Sequence, residues 1–167
     1  MTRSSPVAID LDGALGDTRP LWSDWLASAR GVLGVDPDAL PADRGEAAVE
    51  LDRLNAGNWR TLLARYSEDR VAVYLRRDAA TSRALTTLAE TGHEIGVFTD
   101  APEPLARVVL AQLGAARRVA MIETGSDALD RLLARLGAGA GTIVVRTPTE
   151  LTVAANDAVR QTFTWRS

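Results

Sequence analysis

Two carboxylates two positions apart, Asp10 and Asp12, are the residues of this chain whose types and spacing suit chemistry. They follow the apolar run Val7, Ala8 and Ile9, which reads as a buried strand. Side chains at i and i+2 of an extended segment point the same way. The spacing therefore predicts that Asp10 and Asp12 project together from the strand end, with Gly13 letting the chain turn sharply behind them. Carboxylates placed like this repel and call for a cation, a proton or solvent. Mg²⁺ answers that need, since it prefers a few hard oxygen ligands and keeps water and phosphate as the rest. The plainer alternative is an Asx-turn capping the strand. An EF-hand loop fits worse: no helix precedes, and the later ligands and closing Glu are missing.

A second chemical point lies far along the chain. The apolar run Ile95–Phe98 ends in Thr99, Asp100, Ala101 and Pro102. In an open parallel sheet ligands bind at the carboxyl ends of the strands, which would set Thr99 level with Asp10. Thr99 or Asp100 would equally serve as an ordinary helix cap.

Other chemistries are excluded by composition. There is no cysteine, hence no disulfide, thiol nucleophile or Cys–Zn site. A single histidine, His93, rules out a His-rich metal site and reads as a solvated turn residue. The net charge of −3 and pI near 5.2 argue against nucleic acid or an acidic membrane as the partner. All 19 basic residues are arginine, so any role that calls for lysine is filled by arginine or left empty. No apolar run of membrane-spanning length and no signal peptide is evident, so a cytoplasmic protein is expected. Oligomeric state is silent.

The elements that must position these residues follow from periodicity. Pro20 opens a helix with Leu21, Trp22, Trp25, Leu26, Ala29 and Val32 at helical spacing. Gly34 to Asp38 and Pro41 break it. Arg44–Asn55 reads as a second helix, and Asn58 caps a third bearing Trp59, Leu62, Leu63 and Tyr66, with a short fourth segment at Val71–Leu75. The aromatic residues Trp22, Trp25, Trp59 and Tyr66 are expected to pack these helices rather than bind substrate. From about Asp78 the pattern alternates: a helix started by Asp78 or Thr81 and running to Thr91, strand Ile95–Phe98, helix Pro104–Leu113, strand Val119–Ile122, helix Ser126–Leu136, strand Thr142–Val145, helix Thr149–Ala158 and a last strand Thr162–Trp165. Alternation of this kind predicts an α/β fold with a parallel sheet covered by helices.

Asp10, Leu11, Asp12, Gly13, Ala14 and Leu15 resemble the first motif of the haloacid dehalogenase-like (HAD) superfamily, Asp-x-Asp-Gly-Thr-Leu, with Ala14 in place of Thr. Thr99 resembles its second motif, and the roughly eighty residues between suit the family's helical cap. The chain resembles phosphoglycolate-phosphatase-like members. The resemblance implies a three-layer Rossmann-like α/β core at 1–15 and 79–167 with a small helical cap at 16–78. It implies Asp10 as the nucleophile that forms an aspartyl-phosphate, Asp12 as general acid/base, both with Mg²⁺, and Thr99 and Asp100 at the phosphoryl group of a small phosphorylated molecule. The third-motif base has no match in Met121–Asp127. The fourth motif, usually Gly-Asp-x-x-x-Asp, reads Arg146, Thr147, Pro148, Thr149, Glu150, which weakens the metal site. Arg146 is expected to reach Asp10 or Asp12 and stand in for the missing charge, or to turn out to solvent. Two functions follow: a phosphatase acting on a small phosphate monoester, or a catalytically impaired HAD-like protein that binds or regulates. A dehalogenase is a remote third, since it would not need the second Asp.

Overall fold

The computed structural model describes residues 4–137 and 141–164. Among the described residues four parallel strands form one sheet: β1 (Val7–Asp10), β2 (Ile95–Thr99), β3 (Met121–Thr124) and β4 (Ile143–Val145), in the order β3-β2-β1-β4. Val7 pairs with Ile95 on one side and with Ile143 on the other, so β1 is central. Chain order runs outward from β1 to β3 and then restarts beyond β1 at β4. That reversal opens a crevice at the carboxyl ends of the strands, where ligands bind in such sheets.

Strand alternation sorts the core into two faces. Val7, Ile9, Ile95, Val97 and Val145 belong to a large cluster that includes Leu85 and Leu88 of α4 (Ala79–Glu90), Leu105 and Val109 of α5 (Glu103–Gln112) and Leu151 and Ala155 of α7 (Pro148–Thr164). Ala8 and Phe98 point to the opposite face. There Leu132 and Leu136 of α6 (Ala128–Leu136) cover them in a smaller cluster. The result is the three-layer α/β arrangement expected from the alternating pattern. Gly96 fits under α6 because a Cβ there would meet Leu132 at 2.6 Å.

Between β1 and α4 the described residues form helices and no strand, the longer ones being α1 (Arg19–Leu33), α2 (Arg44–Arg53) and α3 (Trp59–Tyr74). Trp25 and Trp59 are almost fully buried, and the Trp22, Trp25 and Trp59 rings stack in sequence, with centroids 5.1 and 6.2 Å apart. These aromatics pack the helices, as expected; Tyr66 is half-buried at the edge of the same cluster. That cluster is continuous with the sheet's own core, so the three helices share one apolar interior with it.

Four local expectations need correcting. The segment Val71–Leu75 is the end of α3, not a separate element. β3 starts two residues later than expected. His93 is buried, its Nδ1 2.7 Å from the Ser5 carbonyl oxygen. The last strand is not formed by its described residues: Thr162 to Thr164 continue α7, and Trp165 lies outside the described residues. Thr162 and Thr164 donate their hydroxyls to the carbonyls of Ala158 and Arg160, which satisfies both side chains within a helix despite their β-branching.

Candidate functional site

β1 ends at Asp10, and the next five residues, Leu11–Leu15, wind into one π-helical turn closed by the Gly16 amide on the Leu11 carbonyl. Leu11, Ala14 and Leu15 bury that turn against the core. Asp12 therefore lies beyond the strand, and the i, i+2 alternation expected to aim it beside Asp10 does not operate. The helical turn performs that task instead. Asp10 caps it, one carboxylate oxygen accepting from the amides of Asp12 and Gly13 at 3.2 and 3.4 Å. The second oxygen of Asp10 accepts no hydrogen bond among the described residues. Burial pushes the Asp10 carboxyl above its ordinary range, and the Asp12 charge adds to this against the Gly13 and Asp12 amides.

Gly13 does not adopt the left-handed backbone that a sharp turn would demand. It is small for another reason: a Cβ there would sit 2.2 Å from the Arg146 carbonyl oxygen. The first loop and the loop after β4 thus touch through backbone at Gly13.

Asp12 is saturated. One oxygen accepts from the Thr18 amide at 2.9 Å and the Thr18 hydroxyl at 2.5 Å. The other accepts from Thr99 Oγ1 at 2.8 Å and from Arg44 Nη2 at 2.7 Å. Thr99, at the end of β2, also accepts from the Ala101 amide at 3.1 Å. Its proton serves Asp12 and its oxygen holds the following turn, but neither Thr99 nor Asp100 caps α5, whose N-cap is Pro102 with no side-chain hydrogen bond. Thr18 is fully buried, and Thr99 and Arg44 are each 3% exposed.

Arg44 is the residue that the sequence did not single out. As the first residue of α2, it donates Nη1 to Thr18 Oγ1 at 2.6 Å and Nη2 to both Asp12 and Asp100 Oδ1, the latter at 2.5 Å. Nε reaches Asp100 Oδ1 at 3.1 Å, and its amide donates to Asp100 Oδ2 at 3.1 Å. Burial opposes its charge, but the bonds to Asp100 and Asp12 outweigh burial and leave its pKa above the ordinary value. One signal for it existed. Gly45 in the first turn of a helix costs about 1 kcal/mol against Ala, and here it admits the β3–α6 loop: a Cβ would meet the Ser126 amide nitrogen at 2.5 Å. Asp43 Oδ1 seals that contact with Ser126 Oγ at 2.8 Å.

Arg146 lies at the mouth of the site. Its guanidinium carbon is 5.5 Å from the Phe98 ring centre, it is exposed, and its charge favours the ionised form of Asp10. Among the described residues it forms no ion pair with Asp10 or Asp12 within 4 Å. Glu150, the lone acid near the fourth-motif position, accepts from the Arg146 and Thr147 amides at 2.6 and 3.2 Å, and the Thr147 hydroxyl accepts the Glu150 amide at 3.2 Å. This is a reciprocal capping box that starts α7. A cavity of ≈ 320 Å³ opens beside Thr99, Asp100, Ser126 and Arg146.

This donor set does not fit Mg²⁺. Asp10 offers one free carboxylate oxygen, while the carboxylates of Asp12 and Asp100 are committed to Arg44 and hydroxyls, and Glu150 is committed to the helix start. No group of three His, Cys, Asp or Glu side chains among the described residues is placed to hold a metal.

A central parallel strand ending in Asp10, an Asp-x-Asp-Gly turn after it, a hydroxyl from the next strand and helices inserted between the two define a HAD-like α/β fold. Solved structures carry the same architecture. A β-phosphoglucomutase-type protein from Thermotoga maritima is 17% identical with a TM-score of 0.54, over 92% of this chain and 82% of that one. CbbY from Rhodobacter sphaeroides, solved in complex with phosphate, is 16% identical with a TM-score of 0.57, over 79% and 72%. A haloacid dehalogenase-like hydrolase from Streptococcus pneumoniae is 17% identical with a TM-score of 0.54, over 95% and 83%. At these identities the likeness is one of fold. No family model and no curated protein sequence matches this chain. No helix among the described residues is long and apolar enough to cross a membrane.

Proposed function

We propose that this chain is a HAD-type phosphatase that hydrolyses a small phosphate monoester, with Asp10 as the nucleophile, residues 16–78 as a helical cap, and residues 1–15 and 79–167 as the core. The observation that carries the reading is the state of Asp10. It stands at the sheet's switch point with one oxygen held by two backbone amides and the other free. Two amides fix the carboxylate's orientation, and burial makes it more basic. In the reaction the free oxygen of Asp10 would attack phosphorus and the ester oxygen would leave, taking a proton from Asp12. Asp12 would then take a proton from the water that cleaves the aspartyl-phosphate. Arg146 at the mouth would meet the incoming phosphoryl charge, beside the cavity next to Thr99 and Asp100. The Mg²⁺ implied by the family resemblance would need Asp12 released from Arg44, so no step is routed through a metal.

A second reading has its own support. Asp12 accepts four hydrogen bonds and cannot pass a proton until one donor withdraws, which favours a phosphate-binding protein without turnover. One assay separates the two. Hydrolysis of an aryl phosphate, lost in Asp10→Asn, supports the phosphatase; calorimetric binding of inorganic phosphate without hydrolysis supports the binding module. Hydrolysis retained in Asp10→Asn would exclude the aspartyl-phosphate route.

A further inference from the structure

The β3–α6 loop, where the resemblance calls for a basic residue on the core, carries none. Instead, Gly125 and Ser126 form the seat on which the start of α2 rests: Asp43 bonds Ser126, and Gly45 is small enough to lie against both. That docking places the Arg44 guanidinium between two carboxylates, Asp12 and Asp100, that come from two different loops. A buried guanidinium is permanently charged, and its fork can serve several acceptors at once. Here the three nitrogens share Thr18, Asp12 and Asp100, so no arm is idle.

We infer that Arg44 is the compensating cation of this site and the residue that positions Asp12, delivered by the helices between β1 and β2 rather than by the core. The inference rests on the reading of Asp10 as the carboxylate that meets a phosphoryl group. Asp10, Asp12 and Asp100 together place three negative charges where a phosphate dianion must arrive. Arg146 is exposed, and Arg44 is the buried charge that opposes them. Its loss leaves Asp12 and Asp100 uncompensated. Its fork also fixes the face of Asp12 that Thr18 and Thr99 bind, so charge and orientation depend on the same side chain.

The test is calorimetric titration of inorganic phosphate into the full chain and three variants. Arg44→Met keeps the volume and removes the charge; phosphate affinity is expected to fall about tenfold or more, the scale of one uncompensated charge at short range. Arg44→Lys restores the charge without the fork and should return affinity to within about threefold of wild type. Asp100→Asn removes one competing carboxylate and should tighten binding several-fold, a gain that unfolding cannot imitate. Unchanged affinity in Arg44→Met and Asp100→Asn, with the wild type binding, would overturn the inference. If the wild type itself does not bind phosphate, the phosphatase reading fails separately. Arg44 is then decided by hydrogen exchange at the Thr18 amide, which donates to Asp12: exchange about tenfold faster in Arg44→Lys, which keeps the charge and lacks the fork, than in the wild type supports the positioning role, and exchange equal to the wild type overturns it.

Discussion

Replacing Gly13 with alanine puts one methyl group into the tightest contact of the site. The new Cβ would lie 2.2 Å from the Arg146 carbonyl oxygen and 3.2 Å from Asp10 Oδ2. Optimal carbon–heavy-atom contact is about 3.5 Å, so the overlap with the carbonyl is about 1 Å. The obstacle is backbone, held in place by the Glu150 cap on the Arg146 and Thr147 amides, and it cannot rotate aside. Overpacking of this kind costs about 1–3 kcal/mol. With a urea slope of about 2 kcal/mol/M, the unfolding midpoint should fall by roughly 0.5–1.5 M. A shift of about 1 Å at the Asp10 loop also displaces the oxygen proposed as the nucleophile, and if that proposal holds it costs about 10²-fold in hydrolysis. Gly31→Ala is the matched control. Gly31 lies within α1 with nothing within 4 Å of its Cβ position, so alanine there should stabilise by about 0.5–1 kcal/mol. Urea unfolding followed by fluorescence of the buried tryptophans reads both variants. If Gly13→Ala unfolds at or above the wild-type midpoint, as Gly31→Ala should, the backbone contact does not constrain the site and the reasoning fails.

Gly45→Ala should lower the unfolding midpoint and loosen α2 in hydrogen exchange, because its Cβ would meet the backbone of Gly125 and Ser126; an unperturbed α2 would count against the docking described for Arg44. Asp10→Asn should stabilise the fold at neutral pH. The folded-state pKa of Asp10 is raised, so ionising it in the folded state is unfavourable above that pKa, and the variant's advantage should vanish as pH falls through it towards 3.8; a gain independent of pH would refute this. Asp52 has the opposite sign: hydrogen bonds from Arg60 and Trp59 hold its carboxyl at about 2, so Asp52→Asn should destabilise at neutral pH and the difference should disappear as pH falls from 3.8 to about 2. Trp25→Ala should cost about 3–5 kcal/mol in urea unfolding, given its complete burial among Trp22 and Trp59.

The sheet was legible because its strands are short apolar runs bounded by turn residues: Val7–Ile9 and Ile95–Phe98 read directly as β1 and β2. A helix start at Asp78 or Thr81 was legible, and the structure selects Asp78, whose side chain accepts the Thr81 amide at 2.7 Å. The end of α7 misled because Thr162, Phe163 and Thr164 are strand-formers by type, whereas packing decides: Ala154, Ala155 and Ala158 bury the helix and carry its last turn with it. At the site, Asp10 and Thr99 were legible from residue type at strand ends, whereas Asp12 was singled out by its spacing from Asp10 and is placed by a helical turn, not by strand alternation. Arg44 was not legible, since nothing in its own type separates it from the other arginines; its role depends on where α2 docks, which is a long-range property. The capping role of Glu150 could have been read, because Thr147 and Glu150 stand three apart just before an apolar run.

The placement of α1, α2 and α3 between β1 and β2 also sets the order in which the site can come into being. Asp12 and Thr99 are bonded neighbours 87 positions apart in the chain. Closing a loop of that length costs about 4 kcal/mol of chain entropy before the strands repay it. Helices that form inside the loop shorten its effective length and carry Thr18 and Arg44 with them. The three side chains around Asp12, from Thr18, Arg44 and Thr99, therefore meet only when β1 has found β2, which makes the completed cluster a late event in folding and gives this chain a contact order higher than its helix content suggests.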